Sequence, residues 1–138
     1  MKKLRVRASS LGLLAAALTF VSVITLTAGT GQASATRTSA SFFSPSGNIA
    51  CQMNLSLVRC LTRTPHAWVD LHRDGSLATC HGITCQGDLG EDAFVLDYGK
   101  SVRVGGFRCT LRKHGMKCVR VKSGKGFRIS KAGIKRLP

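Results

Sequence analysis

The sequence predicts an all-β fold: a small disulfide-stapled domain of three hairpins, as a meander or open barrel, with at most one short C-terminal helical turn. Three observations carry this reading. Residues from Gly106 to Ser130 alternate in character: Phe107, Cys109 and Leu111 take turns with Arg108, Thr110 and Arg112, the period-two signature of a strand with one solvated face. Six cysteines fall into three close pairs, Cys51 with Cys60, Cys80 with Cys85 and Cys109 with Cys118. The first members of these pairs are each 29 residues apart, so one hairpin unit used three times is the simplest repeat.

The 138-residue chain opens on the pattern of an export signal. Lys2, Lys3, Arg5 and Arg7 form a basic start, an apolar run extends from Leu11 to about Ala28, and Ala33-Ser34-Ala35 supplies a small-residue cleavage site. The run approaches the roughly 18 residues that can span a bilayer, which would make it an anchor instead. Thr19, Ser22, Thr25 and Thr27 dilute it, and cleavage after Ala35 is expected. The domain plan is then a signal peptide over 1–35, a flexible segment over 36–41 and one β-rich domain over 42–138. Export places the six cysteines in an oxidising compartment, secreted or at the cell envelope. A domain this small buries a modest core, so covalent staples meet a physical need.

Taken in order, Ser44-Pro45-Ser46-Gly47-Asn48 is a turn by composition. Ile49, Cys51 and Met53 then face one way. Bridging Cys51 to Cys60 sets Met53 opposite Val58 and leaves Asn54 to Leu57 as the turn. Ala67-Trp68-Val69 is a short apolar segment, with Trp68 expected as a core anchor rather than a ligand platform. Leu71 to Ala78 turns around Asp74-Gly75. A two-residue turn at Gly82-Ile83 would bring Cys80 and Cys85 into a non-hydrogen-bonded pair, with Cα atoms about 4.5 Å apart. Gln86 to Asp92 reads as a polar acidic loop, Phe94-Val95-Leu96 as a short buried strand, and Tyr98-Gly99 as a turn.

Val102 and Val104 lead into the third hairpin. Bridging Cys109 to Cys118 sets Leu111 opposite Met116, with Arg112 to Gly115 as the turn. Lys122 to Lys125 is a loop, Gly126 to Ile129 a last strand, and Ser130 an N-cap for one helical turn ending near Ile134. The apolar aromatics Phe42, Phe43, Phe94, Phe107 and Phe127 all read as core.

The segments SPSGNIAC (44–51), VRC (58–60), Trp68, CQGD (85–88), VLDYG (95–99), GGFRC (105–109), GMKC (115–118) and GKGFRIS (124–130) resemble a family of exported actinobacterial proteins without assigned function. The resemblance implies a small secreted all-β disulfide domain and no particular activity. Two departures stand out: the stretch between Cys80 and Cys85 is short for the family, and Lys125 occupies the place of a customary histidine.

Charge supplies the functional expectation. All six acids lie between Asp70 and Asp97, whereas Lys100 to Pro138 holds thirteen Lys or Arg and no acid. Removing the four signal-peptide cations from the formal +15 leaves +11 on the mature chain. Such a balance favours anionic partners: cell-wall polyphosphate or uronate polymers, nucleic acid, or an anionic lipid surface. The residues expected to carry this binding are Arg108, Arg112, Lys113 and Lys117 on the third hairpin, followed by Arg120, Lys122, Lys125 and Arg128. The same charge could serve solubility alone.

Catalytic and metal patterns are weak. His72, His114 and Lys113 could be arranged as the acid–base pair and cation of a ribonuclease, yet nothing in their spacing requires it. His66, His72, His81 and His114 read instead as solvated loop residues. Cys80, His81 and Cys85 make a poor metal site while oxidation competes for the thiols. The Asp88, Glu91, Asp92 cluster lacks calcium-loop spacing. There is no nucleophile elbow and no ring-rich platform for single-stranded nucleic acid. A monomeric, non-catalytic cationic module without cofactor, metal or evident small-molecule substrate is therefore expected. The alternatives are an inhibitor-like or structural disulfide scaffold and, behind it, a small cationic hydrolase or toxin.

Overall fold

The computed structural model describes residues 37–85, 87 and 92–138; the expected signal peptide, Asp88 and Glu91 lie outside them. Eleven strands form two open sheets and no helix occurs among the described residues. The first sheet contains β1 (Ser39–Phe43), β2 (Ile49–Asn54), β3 (Leu57–Thr62), β4 (Ala67–His72), β5 (Leu77–His81) and β6 (Phe94–Val95). Five of these form a meander, and β6 returns to pair in parallel with β1, giving the order β5-β4-β3-β2-β1-β6. The second sheet is an uninterrupted meander of β7 (Ser101–Val104), β8 (Phe107–Arg112), β9 (Gly115–Arg120), β10 (Gly126–Ser130) and β11 (Gly133–Leu137).

Alternation decides what each sheet buries. Phe42, Met53, Val58, Val69 and Leu71 point inward from the first sheet. Val104, Phe107, Leu111, Met116, Phe127 and Ile129 meet them from the second, and together they form one core. At its centre the Cys51–Cys60 bridge of the β2–β3 hairpin touches the Cys109–Cys118 bridge of the β8–β9 hairpin, with Cys60 Sγ 3.7 Å from Cys118 Sγ. Met53 faces Val58 and Leu111 faces Met116, the register that the cysteine spacing implies. Both turns are tighter than expected. Leu55-Ser56 and Lys113-His114 are two-residue turns, the first held by Asn54 Oδ1, which accepts from the amides of Ser56 and Leu57 at 2.8 Å.

Several expectations change. The Cys80–Cys85 bridge forms, but not across a hairpin. Gly82 still donates its amide to His66 of the preceding turn, and the reversal falls one residue later, where the Cys85 amide donates to the Gly82 carbonyl at 2.9 Å. Among the described residues no strand follows to pair with β5, so the hairpin unit is used twice, not three times. The helical turn after Ser130 is also absent. Ser130 pairs with Gly133 across a two-residue turn, and its hydroxyl accepts from the Ala132 amide, so the chain returns as β11. Ser39–Ser41, expected to be flexible, form the start of β1 because they pair with Asn54–Gln52.

Trp68 is not a core anchor. Its neighbours Ala67 and Val69 face inward, so the pleat puts the indole on the outer surface of the first sheet, in the row Phe43, Ala50, Leu61, Trp68. There the Arg59 guanidinium lies over the ring at 5.0 Å and also clamps buried Asp70 through two bonds, Nε to Oδ1 at 2.7 Å and Nη2 to Oδ2 at 2.6 Å. Phe94 and Val95 are exposed on the edge strand, and only Leu96 of that segment is buried. β5 and β6 occupy opposite edges of the sheet. A Cβ on Gly87 would lie 3.2 Å from Leu61 Cδ2, which places Gly87 over β3.

Candidate functional site

The outer surface of the second sheet follows from residue parity. On β8 the inward set is Phe107, Cys109 and Leu111, which turns Arg108, Thr110 and Arg112 to solvent. The same rule exposes Arg103 on β7, Lys117 on β9, Arg128 on β10 and Lys135 on β11. Strand register then aligns them. Lys117 stands directly opposite Arg128, and Arg128 opposite Lys135, so three cations cross three strands in one row. In a second row Arg103 faces Arg108. Neighbours across a sheet lie about 4.8 Å apart in strand spacing, and like charges placed directly opposite are unfavourable.

Nothing acidic among the described residues relieves this face. Their only ion pair is Arg59–Asp70, on the other sheet. Its hydrogen bond raises the Arg59 pKa above its ordinary value. Asp74 sits in the β4–β5 turn, where the Ser76 hydroxyl and amide donate to its carboxylate and hold its pKa below the ordinary value.

The eight cations expected from the sequence separate into three groups. Arg108, Arg112, Lys117 and Arg128 share the outer face. Lys113 belongs to the β8–β9 turn at one end of the two-sheet stack. Arg120, Lys122 and Lys125 gather at the opposite end and do not join the face. Arg120 has the same parity as Met116 and Cys118, so its side chain leaves on the inner side, where it and Lys125 approach Gly75 of the facing sheet. Arg103 and Lys135 are two further members of the face that the sequence did not single out. The alternation of Arg103 with Val102 and Val104 is legible in the sequence, whereas Lys135 joins the face only because its segment pairs with β10 as a strand.

His72 and His114 do not meet. His72 ends β4 beside the Arg73 turn, which shares a surface depression with Phe107 at the start of β8. His114 lies past the other end of β8, a separation of six strand residues, or about 20 Å. Cys51, Cys60 and Cys118 bring their sulfurs within 4.8 Å of one another, but each belongs to a disulfide and has no thiolate to offer a metal.

The fold and this face define a two-sheet, disulfide-stapled β protein with one strongly basic surface. A family profile described as a family of unknown function (DUF6636) matches residues 58–136, more than half of the chain, and the protein belongs to that family. No curated protein and no solved structure matches the chain.

Proposed function

We propose that the outer face of the second sheet binds anionic polymers reversibly and with low sequence or monomer specificity, outside the cell. The carrying observation is the alignment of Lys117, Arg128 and Lys135 in one cross-strand row, beside the facing pair Arg103 and Arg108, with no acid of the described residues on the face. A surface kept only for solubility has no need to set like charges directly opposite one another, because mixed signs would serve as well. Polymer phosphates or carboxylates relieve that repulsion on binding, which supplies part of the affinity. The reading is of a non-catalytic, monomeric module, exported by cleavage after Ala35 and akin to exported actinobacterial proteins. Three disulfides in so small a chain favour an oxidising compartment.

Binding to long-chain polyphosphate, followed across a salt series, tests this. If about five cations contact the polymer, log K falls against log salt with a slope of about −3 to −4. Replacing Arg108, Lys117 and Arg128 together by Glu should abolish binding. Replacing Arg120, Lys122 and Lys125 should leave most of it. Salt-independent binding, or equal loss in both triple variants, would refute the assignment.

A further inference from the structure

A cleft of about 500 Å³ opens at one end of the two-sheet stack, and of the outer-face cations only Arg112 reaches its rim. Its floor is Ile49 from the first sheet with Leu111 and Gly115 from the second, all buried. One wall is the β1–β2 turn carrying Ser46. Hydrogen bonds brace this turn: the Ser44 hydroxyl accepts from the Ile49 amide at 3.1 Å, and the Gly47 amide donates to the Ser44 carbonyl at 2.8 Å. The Asn48 side chain is tied to Thr64 through both of its polar atoms. The opposite wall comprises two neighbouring turns that bring Arg112, Lys113 and Lys131 to the rim. Tyr98, 52% exposed, closes a third side.

The geometry points to a small-ligand site for a sugar phosphate. An apolar floor and an exposed phenol ring suit the flat face of a sugar, and the Ser46 hydroxyl offers it a polar edge. Three cations line the far rim, where a phosphate would project. Arg112 can take two phosphate oxygens in parallel, with the lysines as point charges around it. The volume suits a compact ligand, within the usual few-hundred-Å³ range of such sites. A long polymer lying on the flat sheet would not need it. Arg112 is shared with the outer face, but Tyr98, Ser46, Lys113 and Lys131 lie off it, so the site does not rest on the polymer reading.

Titration of the oxidised, ¹⁵N-labelled protein with glucose 1-phosphate, read by amide chemical shifts, tests the assignment. Saturable shifts are expected at Gly47, Gly99, His114 and Lys131, with glucose alone and inorganic phosphate alone each binding at least about tenfold more weakly. Tyr98→Ala and the pair Lys113→Ala with Lys131→Ala should each weaken binding by about tenfold or more. Lys117→Glu with Arg128→Glu should leave these shifts in place, even where polyphosphate binding is lost. The same spectra report whether each variant is folded. Shifts confined to Lys117, Arg128 and Lys135, an equal response to inorganic phosphate, an unaffected Tyr98→Ala variant, or no shift at all would overturn it.

Discussion

The sulfur of Cys60 rests 3.7 Å from that of Cys118, so the bridge of one hairpin is packed directly on the bridge of the other. Each closes a loop spanning nine sequence positions, worth about 2.5–3 kcal/mol on a chain-entropy estimate. Contact makes the two losses interdependent. Removing Cys51–Cys60 or Cys109–Cys118 by paired Cys→Ala changes should each cost about that much. Removing both should depart from the sum by about 0.5 kcal/mol or more. Urea unfolding of the three variants measures the coupling, and strict additivity would show that the sulfurs touch without energetic consequence.

Arg59 holds Asp70 by two charge-assisted bonds while its own side chain remains 42% exposed. Arg59→Ala would leave the Asp70 carboxylate buried and unpaired. Because solvent reaches the guanidinium side, the cost should sit below that of a fully buried pair, at about 1.5–3 kcal/mol. The double replacement Arg59→Met with Asp70→Leu should recover most of it. Denaturation midpoints of the two variants decide, and a double variant weaker than Arg59→Ala would contradict this origin of the cost.

Asp74 sets the sign of one pH effect. Its folded pKa is depressed by the donors of Ser76, so its contribution to stability is present above the unfolded aspartate pKa. That contribution is lost as pH falls through the lower, folded value. NMR titration should place the Asp74 midpoint below that of an ordinary aspartate, and Ser76→Ala should move it upward. An unchanged midpoint in Ser76→Ala would show that the serine hydroxyl does not depress the Asp74 pKa.

Arg128 sits between Lys117 and Lys135 with no acid of the described residues to relieve it. Arg128→Glu should therefore stabilise the free protein, by about 0.2–1 kcal/mol for each cross-strand pair it converts, while weakening polyphosphate binding. Thermal unfolding at low salt and the binding assay must move in opposite directions. If the variant is also less stable, the row is not an electrostatic burden on the fold.

The two C-x8-C hairpins were legible because the spacing, the apolar partners and the pleat all select one register. Met53 opposite Val58 and Leu111 opposite Met116 could have no other arrangement once the sulfurs were joined. The outward placement of Arg108, Arg112, Lys117 and Arg128 followed from the same parity. What escaped was set by pairing at a distance. Trp68 looks like core until Val69 and Leu71 claim the inner face of β4. Phe94 looks like core until its strand proves to be a two-residue edge beside β1. Arg120 looks like part of the basic face until its parity proves to match that of Cys118. β11 was hidden because Ser130 is as good a turn former as it is a helix cap.

All three bridges begin and end within one sheet or its adjoining turn, so none of them fastens the first sheet to the second. Covalent closure can thus be complete in each half before the halves meet, and they can part again with every sulfur still bonded. The staples govern how each ribbon is zipped. Whether the molecule stays shut is left to the side chains between them, Phe42 and Leu71 on one leaf against Phe107 and Phe127 on the other.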